Sequence, residues 1–424
     1  MKKLMSTAVL LMLGIMVVFA NGKQDEQKKT TTIRWLGVQH AWTDTILQYL
    51  PEFEKETGIK VQFESYTEEQ LSNKLAVEST AGSKTLDVYN FRPLQQSLMF
   101  AQNGWAQPLN SFYEKDAAFD IADFSPAAMG SCTVDGKVIA IPLIVEAEVL
   151  YYNKILFAEN GLAVPTTMSE MSEVAKKLTN KEKGTFGFVS RGARSAAVTQ
   201  FSGYLFSNGG DFMVDGKATL TTPQAIKSFK YYGDMLRNYG PPGVLTMSWP
   251  QAADLFAQGK VGMYTDASSL YNAVADPSKS KIAGSVGVAM FPKGDVSSKP
   301  YKVCPWALSV GVNSENKEAA WTLIRWLTSK EMMARTQASG NSMARASAWE
   351  KPENNKSFTA DFIETVKKSG AVGSPYDRPI LNHVQEARDV IGTVIVAAIN
   401  GENVEAVAQD AQVKFQVIID NDSK

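Results

Sequence analysis

Strand-like and helix-like segments alternate along the first third of the chain, and this alternation restricts the fold more than any other feature. "TIRWLGV" (32–38), "KVQFES" (60–65) and "LDVYN" (86–90) have the composition and the spacing of apolar residues expected of strands. Segments with helical spacing and capping signals follow each of them, at residues 43–58, 67–82 and 93–104. Because strands that alternate with helices form parallel sheets with helices on their faces, the sequence predicts an α/β fold.

The same kinds of segment continue to the C-terminus, which ends in a predicted helical region. A chain of 424 residues is too long for one modest core, so we expect two lobes or domains. The later segments are predicted as strands at 184–189, 261–265 and 306–312, and as helices at 166–180, 222–240, 248–260, 314–331, 357–369, 383–400 and 402–419.

One apolar stretch, "GKVIAIPLIVEAEVLYYNK" (136–154), carries two carboxylates, Glu146 and Glu148, and is interrupted by Pro142. In a strand the two acids would share a face and stand roughly 6–7 Å apart. That separation is near the range of catalytic carboxylate pairs in glycoside hydrolases. Acids on one strand equally suit nearby cations or hydroxyl groups, so the sequence allows a catalytic pair or a pair with binding and structural roles.

Charge and motifs exclude several classes of function. The net charge of −1, without runs of like charge, argues against nucleic acid as a partner. We find no phosphate-binding loop, dinucleotide fingerprint, nucleophile elbow or zinc HExxH sequence. With only His40 and His383 there is no zinc-type ligand cluster. The sequence therefore gives no reason to expect a cofactor, a metal ion or an enzymatic reaction.

The N-terminus has the features of an export signal. Lys2 and Lys3 precede a short apolar region that ends at Ala20, as in a cleaved signal peptide over residues 1–20. Residues 21–30 are polar and form a predicted flexible leader. Export would permit a disulfide between Cys132 and Cys304, but two buried thiols fit the sequence equally well.

Candidate binding residues lie at the ends of predicted strands, where open α/β sheets bind ligands. Tryptophan rings and polar groups suit sugar rings and their hydroxyls, although a tryptophan can equally be a core residue. The loop arginine Arg345 offers a planar fork, and a surface ion pair is its alternative role. The candidates that follow strands are Trp42, Asp44, Asn90, Arg92 and Asp266, while Trp249 begins a helix and Trp306 stands at the start of a strand.

Five stretches, in order along nearly the whole mature chain, resemble extracellular solute-binding proteins of family 1, the maltose-binding type that serves ABC importers. Met168 stands where the family's P-x-T-W-x-E segment has tryptophan, and Asn90 and Arg92 occupy a loop that usually contributes an aromatic residue. The five stretches are "FEKETGIKV" (53–61), "DGKVIAIPLIVEAEVLYYNK" (135–154), "PTTMSEM" (165–171), "LFAQGKVGMYTDAS" (255–268) and "PWALSVGVNSENKEAAWTLIRWLTSKE" (305–331).

The resemblance implies a type II-like, two-lobed periplasmic binding protein fold. Each lobe would be a mostly parallel sheet flanked by helices, with hinge crossovers and a helical C-terminal segment. Pro142 would lie at the first crossover, and Glu148 would have a protein partner such as an arginine. The implied lobes are residues 31–143 with 288–328, and residues 144–287 with 329–424.

The resemblance also implies a function. A monomeric, periplasmic or extracellular protein would bind a monosaccharide, polyol or short oligosaccharide between its lobes, without catalysis, and deliver it to the permease of an ABC importer. An exported glycosidase that uses Glu146 and Glu148, and a solute sensor that docks on a signalling receptor, are the alternatives. The implied ligand-binding residues are Trp42, Asp44, Asn90, Arg92, Glu146, Asp211, Trp249, Asp266, Trp306 and Arg345.

Overall fold

The computed structural model describes residues 30–422, so the predicted signal peptide and nearly all of the leader lie outside the described residues. The strands are β1 (Thr32–Val38), β2 (Lys60–Tyr66), β3 (Val88–Phe91), β4 (Thr133–Val134), β5 (Lys137–Val138), β6 (Ile141–Asn153), β7 (Phe186–Val189), β8 (Met213–Val214), β9 (Lys217–Ala218), β10 (Val261–Ala267), β11 (Val286–Met290) and β12 (Lys302–Val310).

Helices surround these strands, and short 3₁₀ turns join several of them. The α-helices are α1 (Ala41–Leu47), α2 (Leu50–Thr57), α3 (Glu68–Thr80), α4 (Pro93–Gln102), α5 (Asn110–Tyr113), α6 (Pro126–Ser131), α7 (Lys154–Glu159), α8 (Met168–Leu178), α9 (Arg194–Ser207), α10 (Pro223–Tyr239), α11 (Trp249–Ala257), α12 (Tyr271–Ala275), α13 (Lys317–Leu327), α14 (Lys330–Ala338), α15 (Ala360–Val372), α16 (Val384–Asn400) and α17 (Val404–Asp422).

The α/β architecture is confirmed, and its sheet is mixed. The strand order is β2-β1-β3-β12-β6-β10-β7, and β11 also pairs with β6. Strand β1 is parallel to β2 and β3, and β10 is parallel to β7. The strands β6, β11 and β12 are antiparallel to their neighbours. Strand β6 carries the chain from the first half of the sheet to the second, and the chain returns to the first half at β12.

Two hydrophobic cores lie on the two halves of this sheet. The first core takes its buried residues from 33–144 and 304–348, and includes Trp35, Phe53 and Trp321. The second core takes its buried residues from 149–291 and 358–419, and includes Tyr151 and Phe229. The chain therefore builds two packed bodies around a single run of strands.

The long strand β6 connects the two cores. Its first half pairs with β12 as far as Ala147, and its second half pairs with β10 and β11 from Glu148 onwards. We predicted that Pro142 lies at the crossover between the lobes. It lies instead earlier in the strand than this change of partner, opposite Ala307. The register of β12 shifts beside it, and such an irregularity accommodates a residue that lacks an N–H donor.

The packing also differs from the predicted lobe boundaries at two segments. Val288 and Phe291 pack in the second core, because β11 pairs with β6 before the chain returns through β12. Met333 and Met343 pack in the first core, where α14 contacts α1 and α13.

Two predicted helices are each divided. The helix predicted over 43–58 breaks between α1 and α2, where Pro51 sits in the first turn of α2 and cannot continue a preceding helix. The helix predicted over 314–331 ends at Leu327, and the Ser329 side chain accepts a hydrogen bond from Met332 N, which caps α14.

Helix α9 has no counterpart in the sequence-based prediction. Every residue from Ala197 to Ser207 is buried, so the helix has no polar stripe. A helix that is buried on all sides lacks the 3.6-residue periodicity on which the prediction relied.

Candidate functional site

A cavity lies between elements of the first core and elements of the second. Its empty space is about 560 Å³, including the part that opens to solvent. It is lined by His40, Glu68, Arg92, Leu94, Gln95, Glu146, Arg191, Thr199, Trp249, Ala267, Ser269, Leu270, Val303, Cys304, Pro305, Trp306 and Arg378.

Four of the predicted site residues line this cavity together: Arg92, Glu146, Trp249 and Trp306. The position of each residue in a strand, in a helix or at a strand end brings it to the cavity. Arg92 directly follows β3, Glu146 lies where β6 is about to change partners, and Trp249 is the first residue of α11. Trp306 lies within β12, and its ring centroid is 5.6 Å from the guanidinium carbon of Arg92. The cavity thus combines two indole rings, a cation and a carboxyl group.

Asp266 supports the cavity from behind a lining residue. It is fully buried at the end of β10, and its Oδ2 and Oδ1 accept hydrogen bonds from Arg191 Nε and Nη2 at 2.9 and 2.5 Å. Gln200 Nε2 and the Tyr264 hydroxyl also donate to it, at 2.9 and 2.8 Å. Its carboxylate is therefore already used within the protein, and Arg191 is the group that reaches the cavity.

Glu146 carries a carboxyl group that is poised between its two protonation states. Its Oε2 accepts a hydrogen bond from Ser269 Oγ at 2.5 Å. Burial raises its pKa to about 7, against the lowering effect of the Ser269 hydrogen bond and of Arg191. At neutral pH this group can both donate to and accept from a ligand hydroxyl.

Glu148 does not have the protein partner that the resemblance implied. It is fully buried, and among the residues that the structure describes, neither of its carboxyl oxygens has a hydrogen-bond partner. Arg191 is already held by Asp266, and burial raises the pKa of Glu148 well above its usual range. Gly203 of α9 makes room for it, because a Cβ there would lie 2.1 Å from Glu148 Oε2.

Direct contacts join the two sides of the cavity. Trp249 Nε1 donates to Glu68 Oε1 at 3.2 Å, which connects α11 with the start of α3. Gln95 Oε1 on α4 accepts from Arg378 Nη1 at 3.1 Å and from Arg388 Nη1 at 3.3 Å. These bonds connect the two walls of the cavity directly.

The structure places the other predicted residues outside the lining of the cavity. Trp42 is fully buried in the first core, and Asp44 is exposed in the first turn of α1. Asn90 is fully buried on β3, where its Oδ1 accepts from Val38 N at 3.2 Å. Asp211 accepts from Phe212 N at 2.7 Å and contacts the Tyr376 hydroxyl.

Arg345 lies inside the first core and not in the cavity. It is 1% exposed, and its guanidinium lies over the rings of Phe119 and Phe124. It donates to the backbone oxygens of Thr328 and Phe119, both at 2.6 Å, and its ion pair with Asp123 is 3.2 Å long. The sequence suggested a ligand contact or a surface ion pair for Arg345. The structure shows instead a buried arginine that holds parts of the first core together.

Several lining residues were missed by the sequence analysis. His40, Glu68 and Arg191 each come shortly after a parallel strand, so the strand-end rule could have found them. Arg378 lies in an irregular segment between α15 and α16, and nothing in the sequence indicates its position. Thr199 lies on α9, the helix that the periodicity did not reveal.

The lining groups suit a hydroxylated ligand. Guanidinium groups donate, carboxyl groups accept, and tryptophan faces contact apolar C–H surfaces. Burial lowers the pKa of His40 to about 4, so its ring is neutral at pH 7. Within residues 30–422 we find no cluster of His, Cys, Asp or Glu suited to a metal ion, and no helix in that range is long and apolar enough to span a bilayer.

Comparisons with known proteins agree with this architecture. The model of the bacterial extracellular solute-binding protein family matches residues 40–334, more than half of the chain. A crystal structure of an ABC transporter solute-binding protein from Agrobacterium radiobacter K84, in complex with ribitol, superimposes with a TM-score of 0.84 at 28% identity and covers 91% of this chain and 98% of that one.

Two curated proteins are similar in sequence. The erythritol/L-threitol-binding protein of Mycolicibacterium smegmatis is 26% identical over 73% of this chain and 69% of its own length. The mannitol-binding protein of Pseudomonas aeruginosa is 27% identical over 56% of this chain, and the match spans only 55% of that protein. With the family model and the shared two-lobed fold, these similarities show that the chain belongs to the bacterial extracellular solute-binding proteins.

Proposed function

We propose that this protein binds one small carbohydrate, a polyol or a monosaccharide, in the cavity between its two cores, and delivers it to the permease of an ABC importer. The observation that carries the proposal is the set of side chains that line the cavity. Trp249 and Trp306 reach the cavity from elements of different cores, together with Glu146, Arg92 and Arg191. Similar proteins whose names or titles specify mannitol, erythritol or ribitol support this class of ligand.

The ligand would act by holding the two bodies together. A ligand shifts a conformational equilibrium only if it binds one state better than the other. Contacts to Trp306 and Glu146 on one side and to Trp249 and Arg191 on the other exist only when the cavity is assembled. The assembled form then presents surfaces of both bodies to a permease.

We further propose that the protein acts without catalysis, as an exported monomer. Only one acid of the Glu146–Glu148 pair lines the cavity, and Glu148 is buried without access to it. This arrangement favours binding over a paired-carboxylate hydrolysis. Capture of the membrane partner distinguishes delivery to a permease from docking on a signalling receptor.

A thermal-shift screen of polyols, monosaccharides and short oligosaccharides tests the proposal. A ligand at about 100 times its dissociation constant should add about 2.7 kcal/mol to the free energy of unfolding. Chromatography of the same mixtures should show the ligand unchanged. If no carbohydrate raises the melting temperature, the assignment fails, and if a glycoside is cleaved, the claim of a binding protein without catalysis fails.

A further inference from the structure

The cavity has two chemically different ends. Arg92 follows β3, and Glu146 lies on β6. Strand β12 runs between these two strands, so their backbones are about 10 Å apart. Gln95 and Arg378 line the cavity on the side of Arg92, whereas Ser269 bonds to Glu146. The end at Arg92 is therefore rich in guanidinium groups. The other end offers a carboxyl and a hydroxyl group, and the charge of Arg191, which also lines the cavity, is balanced by Asp266.

Positive charge at the first end is not fully compensated. Arg378 is paired with Asp377, with Nε to Oδ1 at 2.6 Å. Within residues 30–422, Arg388, just behind it, donates only to neutral acceptors, namely Ser195 O, Gln95 Oε1 and Thr199 Oγ1. Three guanidinium groups, those of Arg92, Arg378 and Arg388, thus face two carboxylates, Asp377 and Glu68.

The pKa values of neighbouring groups reflect this excess of positive charge. Burial, together with the other arginines, lowers the pKa of Arg92 and that of Arg388. Burial alone would raise the pKa of Glu68, but Arg92, Arg191 and Arg388 bring it below its usual range. A carboxylate in this part of the cavity is therefore stabilised although it is removed from water.

The guanidinium group of Arg92 has hydrogen-bond donors that no described protein group uses. Across residues 30–422, no hydrogen bond uses its guanidinium group, and its nearest carboxylate oxygen, Glu68 Oε2, is 3.6 Å from Nη2. Its side chain is only 16% exposed, so water access is limited. Such a fork binds a carboxylate through two parallel hydrogen bonds, which are stronger than bonds to neutral acceptors. A neutral hydroxyl would leave part of this charge unpaired in a closed cavity.

We propose that the preferred ligand is an acid of monosaccharide or alditol size, such as an aldonate or a uronate, whose carboxylate binds Arg92 while its hydroxyls reach Glu146 and Ser269. This inference rests on the proposed function and narrows its class of ligand. The indole of Trp306, against which Arg92 lies, would contact the apolar face of the carbon chain.

Matched pairs of alditol and aldonate test the inference, because each pair differs at one carbon. Titration calorimetry at pH 7.5 compares sorbitol with gluconate, mannitol with mannonate, and ribitol with ribonate, and sorbitol 6-phosphate tests a phosphate as the anion. In at least one pair the acid should bind about tenfold tighter or more. Arg92→Gln should reduce this ratio towards one, whereas Arg194→Gln, at a surface arginine that is 56% exposed, should preserve it.

The possible failures are distinguishable. If an alditol binds and its acid binds no better in every pair, the inference is wrong while the proposed function stands. If only the alditol phosphate binds, the carboxylate assignment is wrong. If none of the alditols, aldonates or neutral sugars binds, both proposals fail. If the preference for the acid survives in a folded Arg92→Gln variant, as judged by circular dichroism, Arg92 is not the anchor.

Discussion

Replacing Asp266 by asparagine should destabilise the protein strongly, although the two side chains have nearly the same shape. The carboxylate is fully buried and accepts two hydrogen bonds from Arg191, whose own side chain is 13% exposed. Asparagine keeps one acceptor but leaves the guanidinium without a counter-charge. Removing one partner of a buried ion pair costs about 3–5 kcal/mol. We expect Asp266→Asn to lose about that much, mainly in the unfolding of the second core.

Urea unfolding followed by circular dichroism measures this loss, with Asp234→Asn as the matched control. Asp234 also pairs with an arginine, Arg237, but the two side chains are 51% and 40% exposed. Exposed pairs contribute about 0–1 kcal/mol, so the control should unfold almost as the wild type does. If both variants lie within about 1 kcal/mol of the wild type, the Arg191–Asp266 pair does not hold the site as described.

Three further predictions concern packing, pH and the closed form. A Cβ at Gly187 would lie 1.9 Å from a backbone oxygen of α8, so Gly187→Ala should cost about 1–3 kcal/mol or more in urea unfolding. A Cβ at Gly130 would meet no atom within 4 Å apart from its chain neighbours and its own helix backbone, so Gly130→Ala should cost nothing. Because the folded pKa of Glu146 is about 7 against an ordinary 4.5, the folded state binds the extra proton between these values. The free energy of unfolding should therefore fall by up to about 3 kcal/mol as the pH rises from 4.5 to 7. Glu146→Gln should remove that part of the pH dependence. An unchanged pH dependence in the variant contradicts the raised pKa of Glu146. Glu68→Gln weakens the 3.2 Å bond to Trp249, so the affinity for a neutral alditol should drop by up to about tenfold. Unchanged affinity for the alditol would mean that this bond does not favour closure.

The regular part of the fold was predictable from local patterns. Strand β1 has the predicted bounds, and the capping box of α3 formed from Thr67 and Gln70 is visible in the sequence as Ser/Thr-x-x-Gln. Helix α9 was not predictable in this way, since burial on all sides removes its periodicity. The break between α13 and α14 depends on the Ser329 cap, a signal that lies within an otherwise continuous helical pattern.

Of the predicted residues that line the cavity, Arg92 follows a strand and Trp249 opens a helix, whereas Glu146 and Trp306 lie within strands. Arg92 and Glu146 line the cavity, but Asp266 contacts Arg191, and Arg345 packs against Phe119. Whether a polar residue faces a ligand or a protein partner depends on tertiary neighbours that are distant in sequence. Position along the strand could not supply that information.

Titration calorimetry with the carbohydrate that gives the largest thermal shift tests the central claim most directly. We predict one binding site per chain, with affinity reduced about tenfold or more in Glu146→Gln, because the Glu146 carboxyl group, which can donate and accept hydrogen bonds, lines the cavity. Asp44→Asn, at an exposed residue outside the cavity, should bind as the wild type does. Equal affinity in the wild type and Glu146→Gln, with both proteins folded, would place the ligand elsewhere and contradict the account.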